Sequence, residues 1–173
     1  YLKRLIFRNS IDYARHIGVK VGENCRFSSL PEFGSEPFLC EIGNHVMIAS
    51  DVQFITHDSG NWVFRDEEKY KTTVKFGKVK ICDNCYIGVR VILMPNVTIG
   101  ENSIIGAGSI VTKSVEPNSV YAGIPARYIC SVDEYAEKIL KNTPDYNVDK
   151  LKTDRKNTIL EIIDNSQSVT KVD

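Results

Sequence analysis

His57 is the residue whose type and position best suit catalysis in this sequence of 173 residues. It follows the segment Phe54-Ile55-Thr56 and precedes Asp58 and a long irregular stretch. A neutral imidazole changes protonation near neutral pH, so it can remove a proton from a hydroxyl or an amine as a general base. The alternative without a catalytic role is a surface histidine at a turn.

Two further patterns concern metal and redox chemistry. His45 and His57 are 12 positions apart, which in the repeat described below places them on different faces, so they cannot share one metal. Cys82 and Cys85 match the CxxC pattern, but the sequence contains no second CxxC pair and the repeat directs the two side chains apart. We therefore predict structural cysteines and no metal.

The stretch after His57 contains the only tryptophan, Trp62. Aromatic side chains in a loop either hold the loop down or, beside a base, form a platform for a sugar. An earlier irregular stretch offers one acidic group, Glu36, which is either a hydrogen-bond partner for an acceptor or a solvated carboxylate. The residues alone leave both choices open.

A sequence repeat with a period of six residues must position these side chains. An aliphatic residue recurs at every sixth position, at Ile81, Ile87, Leu93, Ile99, Ile105 and Val111. The same pattern occurs earlier at Val21, Phe27, Ile42, Ile48 and Phe54. Hexapeptide periodicity is typical of a parallel β-helix, in which three strands make a coil of about 18 residues, so we predict an all-β solenoid of about four coils. Loops at about 28–39 and 59–78 interrupt the period.

The composition agrees with a β-rich globular protein. The chain has 19 Ile and 17 Val against 8 Leu and 6 Ala, and β-branched residues favour strands. Its 22 basic and 22 acidic residues balance, which argues against nucleic acid as a partner. No transmembrane segment or leader is evident, and the five cysteines are an odd, scattered set, so we expect a soluble protein in the reducing cytoplasm.

Helical signals lie outside the repeat. Ser10–His16 reads as a short N-terminal helix capped by Ser10, and Ser131–Asn142 as a helix capped by Ser131. A third helix is expected over about 149–164. We therefore predict a β-helix domain over residues 1–130 and a C-terminal helical extension over residues 131–173.

The repeat region resembles the hexapeptide-repeat acyltransferases. The resemblance is carried by Gly106-Ala107-Gly108-Ser109-Ile110-Val111-Thr112-Lys113 and Ala122-Gly123-Ile124-Pro125-Ala126-Arg127. Together with residues 42–58, they are similar to the branch of galactoside, maltose and xenobiotic acetyltransferases and capsular-polysaccharide O-acetyltransferases. The resemblance implies a left-handed β-helix and a homotrimer that binds acetyl-CoA, the acyl donor, in the groove between subunits.

The resemblance also implies roles for single residues. His57 matches the catalytic base, and Glu36 falls near an acidic acceptor-binding position. We assign Trp62 to acceptor binding as well. The positions that match contacts to the CoA donor are Val89, Ala107, Thr112, Lys113 and Arg127. Because the galactoside enzymes carry a hydroxyl residue at the Val89 position, only backbone contact is expected there.

The implied activity is O-acetylation of a sugar or polysaccharide precursor by acetyl-CoA. N-acetylation of an amino sugar stays open, because the same base serves an amine, and so does a non-catalytic β-helix scaffold. A zinc hydratase of the γ-carbonic-anhydrase type is disfavoured, because it needs three histidines with two close in sequence. A nucleotidyltransferase with an acetyltransferase tail is disfavoured because the chain has no room for a dinucleotide-binding domain.

Overall fold

A computed structural model of the chain describes residues 9–169. The strands at the hexapeptide positions are, in chain order, β1 (Lys20–Val21), β2 (Arg26–Phe27), β3 (Cys40–Ile42), β4 (Met47–Ile48), β5 (Gln53–Phe54), β6 (Val79–Ile81), β7 (Tyr86–Ile87), β8 (Ile92–Leu93), β9 (Val97–Ile99), β10 (Ile104–Ile105) and β11 (Ile110–Val111). Each predicted repeat position therefore forms a strand. A hairpin that the period does not predict follows, made of β12 (Ser119–Gly123) and β13 (Ala126–Ser131).

The strands stack into three sheets around one core. The first sheet has the order β1-β3-β6-β9, the second β13-β12-β10-β7-β4-β2 and the third β11-β8-β5. Val79 lies opposite Val97 and Tyr86 opposite Ile104, so residues 18 apart stack on each other as predicted. The hexapeptide aliphatics point inward, and Ile87, Leu93 and Ile105 are fully buried. This parallel stacking accounts for the excess of Ile and Val.

The first interruption of the period is smaller than the sequence suggests. Phe33, six positions after Phe27, occupies a repeat position of its own: it is buried, and its ring lies 4.9 Å from that of Phe54. The adjacent Glu32 pairs in parallel with Gln53 at the edge of the third sheet. The insertion therefore falls between Phe33 and β3, and it brings extra residues to the corner beside the end of β5.

Gly88 follows β7 but does not have the left-handed backbone that favours glycine. That conformation is found at corner residues instead, among them Asp51 and Arg90. A Cβ on Gly88 would lie 2.5 Å from the backbone nitrogen of Ala107 in the next coil. Gly88 is thus required by the close approach of two coils rather than by its own φ.

The corner between the first and second sheets is held by a ladder of polar side chains. His45, Asn84, Asn102 and Asn118 all have positive φ. His45 Nδ1 donates to Asn84 Oδ1 at 2.7 Å, and the amides of Asn84 and Asn102 donate to the next asparagine, each at 2.8 Å. His45 therefore helps to join stacked coils.

The first two helices lie close to where the sequence predicts them. Helix α1 (Ser10–His16) has the predicted bounds, but its N-cap is Asn9 rather than Ser10, because the Asn9 side chain accepts from the backbone of Ile11 and Asp12. Helix α2 spans Val132–Asn142 and begins directly after Ser131, which also pairs with Ser119 in the hairpin.

The expected third helix is two helices, α3 (Val148–Thr153) and α4 (Arg155–Val169). Asp154 leaves the helical conformation between them, at φ −135° and ψ 63°. Short polar side chains favour helix ends over helix interiors, which explains why a single continuous helix is the wrong prediction.

The chain divides into two compact units, with the boundary between Val132 and Asp133. The first unit contains the β-helix and the hairpin, and the second contains most of α2 together with α3 and α4. The outer ends of the two predicted domains, residues 1–8 and 170–173, lie outside the described residues. Within residues 9–169, no helix is both long and apolar enough to cross a membrane.

Candidate active site

His57 lies at the corner where the chain leaves the third sheet, three residues after Phe54. The 60s loop, residues 59–78, returns to this corner: Gly77 donates its N–H to the Thr56 carbonyl at 2.8 Å, and Asp58 donates to the Lys75 carbonyl at 2.9 Å. The side chain of His57 is 37% exposed, so the imidazole is held by its surroundings and still open to a ligand.

The imidazole of His57 is paired with a carboxylate from the first inserted loop. Its Nδ1 lies 2.8 Å from Oε2 of Glu36, whose side chain is only 18% exposed. The hydroxyl of Thr56 donates to the same oxygen at 2.7 Å. The bonds from Thr56 and then from His57 hold the pKa of Glu36 below its ordinary value of 4.5. Glu36 is therefore ionised at neutral pH, and Nε2 of His57 is the ring nitrogen left for chemistry.

Phe76 contributes an aromatic ring beside His57. The ring of Phe76 is edge-on to the imidazole at 6.2 Å between centroids, and Phe76 is 52% exposed. Trp62 lies in a short 3₁₀ turn, is 73% exposed and is covered by the guanidinium of Arg65 at 5.1 Å. The structure thus brings Glu36 to His57, while Trp62 is an exposed residue of the 60s loop.

Four of the residues matched to CoA contacts lie at the two corners of the β-helix that flank the third sheet. Val89 and Ala107 are exposed at the corner before it, and the Val89 carbonyl accepts from the N–H of Gly108 at 2.7 Å. Thr112 and Lys113 are exposed immediately after β11, at the edge that also carries His57.

Arg127 lies on β13, where it pairs with Ala122 of β12. Its guanidinium is exposed and donates to the carbonyl of Ala126 at 3.1 Å.

The cysteines are all free thiols. Burial raises the pKa of Cys85 to about 11, and its Sγ donates to the Gly100 carbonyl at 3.1 Å. Cys82 is half-buried. Among the residues that the structure describes, no cluster of three or more His, Cys, Asp or Glu side chains is arranged to hold a metal ion.

Comparison with known proteins places the chain in a family. Residues 78–113 match the family described as "Bacterial transferase hexapeptide (six repeats)". Over 142 residues the chain is 47% identical to Protein CapG of Staphylococcus aureus, an alignment that covers 80% of this chain and 81% of CapG. The chain is a hexapeptide-repeat transferase.

Other relatives place this transferase in the acetyltransferase branch. It is 38% identical over 101 residues to galactoside O-acetyltransferase of Escherichia coli strain K12, covering 57% of this chain and 47% of that protein. The solved maltose O-acetyltransferase of Clostridium difficile 630 is similar with a TM-score of 0.56 and 29% identity, over 70% of this chain and 73% of that one. These neighbours imply the left-handed β-helix. The transferase spans about half the length of the galactoside enzyme.

The contact between Glu36 and His57 in the transferase was not predicted from sequence. Glu36 was assigned to the acceptor, and Thr56 was noted only as a neighbour of His57. The signal that would have found the contact is Phe33: at six positions after Phe27 it continues the period. Counting Phe33 as a repeat position places Glu36 three residues after it, as His57 is three residues after Phe54, so the two side chains follow stacked strands.

We expect the transferase to lose stability in acid partly through this site. The pKa of Glu36 is lowered in the folded state, so its contribution is present above the unfolded value of 4.5 and is lost as the pH falls through the lower folded value. The pKa of Asp58 is likewise lowered from its ordinary value of 3.8, by hydrogen bonds from Gly60 and then Lys75, so its contribution is lost in acid in the same way. The measurement is urea unfolding at pH 7 and pH 3.5. Glu36→Gln should show a smaller acid loss than the wild type, and an equal loss would contradict the contribution of Glu36.

Proposed function

We propose that this transferase moves an acetyl group from acetyl-CoA to a hydroxyl of a sugar or polysaccharide precursor, with His57 as the general base. The observation that carries the proposal is the geometry of the imidazole. Nδ1 is bound to Glu36 at 2.8 Å, and the partly exposed ring presents Nε2 to a ligand. The O-acetyltransferases among the relatives support the choice of a sugar hydroxyl as acceptor.

The chemistry is a direct acyl transfer. Nε2 of His57 takes the proton of the acceptor hydroxyl while the hydroxyl oxygen forms a bond to the thioester carbonyl carbon. The tetrahedral oxyanion then collapses, the carbon–sulfur bond breaks and CoA leaves as a thiolate. The imidazolium returns its proton to that sulfur, so the enzyme ends in its starting protonation state.

The donor would lie along the corners that flank the third sheet. Ala107 and the backbone at Val89 fit a pantetheine arm, because both are exposed at one corner where glycines keep the coils close. Lys113 and Arg127 would meet phosphate oxygens at the nucleotide end, with the hydroxyl of Thr112 beside them. Trp62 is the acceptor-side candidate and would supply an apolar platform for a sugar ring.

The outer faces of the sheets support a homotrimer of this β-helix of about four coils. The outward residues of the first sheet are polar: Lys20, Glu41, Lys80 and Thr98. The second sheet instead exposes Met47 and Tyr86, and the third presents Ile92 and Ile110. Two different apolar faces on one prism suit contacts in which one face meets the other face of the next copy, and such contacts form a ring when the rotation between copies closes.

In this proposal the β-helix unit performs catalysis and the C-terminal helices form an extension. The free cysteines favour a reducing compartment such as the cytoplasm.

The test is the position of the acetyl group in the product. The protein is incubated with acetyl-CoA and pairs of sugars, in which one member has a hydroxyl where the other has an amino group. The products are identified by mass spectrometry. We expect an acetylated hydroxyl sugar whose acetyl group is removed by hydroxylamine, because esters react with it and amides do not. A hydroxylamine-resistant product formed only from the amino sugar would establish N-acetylation instead. CoA binding without any transfer would favour the scaffold.

A further inference from the structure

We propose that Glu36 is a positioning residue for His57 and does not bind the acceptor. The inference rests on the proposed function, because it assigns a role within the same proton transfer. It replaces the acceptor-binding role that the resemblance assigns to Glu36.

The first argument is the bonding of one carboxylate oxygen. Oε2 of Glu36 accepts from Nδ1 of His57 at 2.8 Å and from the hydroxyl of Thr56 at 2.7 Å. An ionised carboxylate only accepts hydrogen bonds, so Nδ1 must carry the proton in this pair. In the neutral ring Nε2 then has the free lone pair, which is the form that a base requires.

The second argument is that the loop is built to hold Glu36 in place. Phe33 is 3% exposed and packs against Phe54, so the segment is anchored three residues before Glu36. Pro37 then begins a 3₁₀ turn, in which Leu39 donates to the Glu36 carbonyl at 3.0 Å. Anchored on both sides, the carboxylate has little freedom to follow a bound acceptor.

A glycine allows the approach of this loop to Thr56. Gly34 has φ +64°, and a Cβ built on it would lie 3.3 Å from the Thr56 hydroxyl oxygen. Thr56 is itself 1% exposed, so its hydroxyl has no access to water and is directed to Glu36. The loop backbone, Thr56 and Glu36 therefore form one packed unit behind the imidazole.

The third argument concerns charge during the reaction. When Nε2 takes the acceptor proton, His57 becomes an imidazolium, and the carboxylate already bound to Nδ1 stabilises that positive charge. Glu36 thus contributes twice, because it selects the tautomer before proton transfer and stabilises the cation after it. Neither effect depends on contact between Glu36 and the acceptor.

The experiment compares Glu36→Gln with the wild type, with acetyl-CoA and an acetylatable hydroxyl sugar from the product assay. Glutamine has the same shape without the charge, and its amide permits the wrong tautomer. We expect kcat to fall about 10²-fold. The KM values for sugar and acetyl-CoA should stay within about twofold, because binding is untouched. A raised sugar KM with unchanged kcat would overturn the proposal and make Glu36 an acceptor ligand.

Glu32→Gln is the matched control, because Glu32 is an exposed carboxylate four residues earlier, in the segment that pairs with Gln53 before the loop begins. It should have wild-type kinetics. A second readout, independent of turnover, is the ¹⁵N chemical shift of the His57 ring nitrogens at a pH where the ring is neutral. The wild type should show a protonated Nδ1, and Glu36→Gln a mixture of tautomers. The same single tautomer in both proteins would contradict positioning by Glu36, even if the protein transferred no acetyl group.

Discussion

The His57→Ala variant should transfer acetyl groups about 10²- to 10⁴-fold more slowly than the wild type, the range that a general base contributes. Alanine leaves no group at this corner that can take the acceptor proton. The carboxylate of Glu36 lies behind the ring, on the Nδ1 side, and cannot replace Nε2. The effect is read as kcat with saturating acetyl-CoA and sugar, and the affinity for CoA, measured by calorimetry, should be unchanged.

His45→Ala is the matched control for this loss. His45 also follows a hexapeptide strand, and its ring is also bonded through Nδ1, but it belongs to the asparagine ladder at another corner. We expect the variant to transfer acetyl at the wild-type rate with a modest loss of stability. Sedimentation of all three proteins checks that their oligomeric state is the same. Full turnover by a folded His57→Ala variant would disprove the assignment of the base.

The second large effect is on folding. Phe54→Ala should lower the free energy of unfolding by about 3–5 kcal/mol, because Phe54 is 1% exposed and truncation leaves a cavity between stacked coils. Phe54 stacks on Phe33 at 4.9 Å and lies opposite Leu93 in the third sheet. The loss is measured by urea unfolding followed by circular dichroism at one fixed protein concentration.

Phe38→Ala removes the same atoms from an exposed site and provides the comparison. Phe38 is 64% exposed in the loop that carries Glu36, so its truncation should change stability by no more than about 0.5 kcal/mol. Phe54→Ala should also reduce turnover, because the anchor below Phe33 and Glu36 is lost. Equal stability of the two variants would show that the Phe33–Phe54 stack does not hold the coils together.

The fold was largely predictable because one physical rule is repeated along the chain. Every sixth residue points inward, so Ile81, Ile87 and Leu93 are enough to set the frame, and the pairing of residues 18 apart follows. The hairpin β12–β13 was missed because it lies beyond the repeat and pairs antiparallel.

The site was predictable only in part. His57 follows a hexapeptide strand, so its corner is set by the frame. Glu36 lies within an insertion, whose path depends on packing that no period encodes, chiefly the burial of Phe33 against Phe54. Trp62 lies in the other inserted loop: its type suggests a binding role, but only the structure shows that it is on an exposed turn under Arg65. Residue type alone does not locate a side chain in an inserted loop.

The most direct test of the central claim is a crystal structure of the protein with CoA and a sugar that it acetylates. The account predicts the acceptor hydroxyl oxygen at about 2.6–3.2 Å from Nε2 of His57, within reach of the CoA sulfur, and no sugar contact to Oε2 of Glu36. A sugar bound beside the CoA sulfur with its reactive hydroxyl out of reach of His57 would contradict the account.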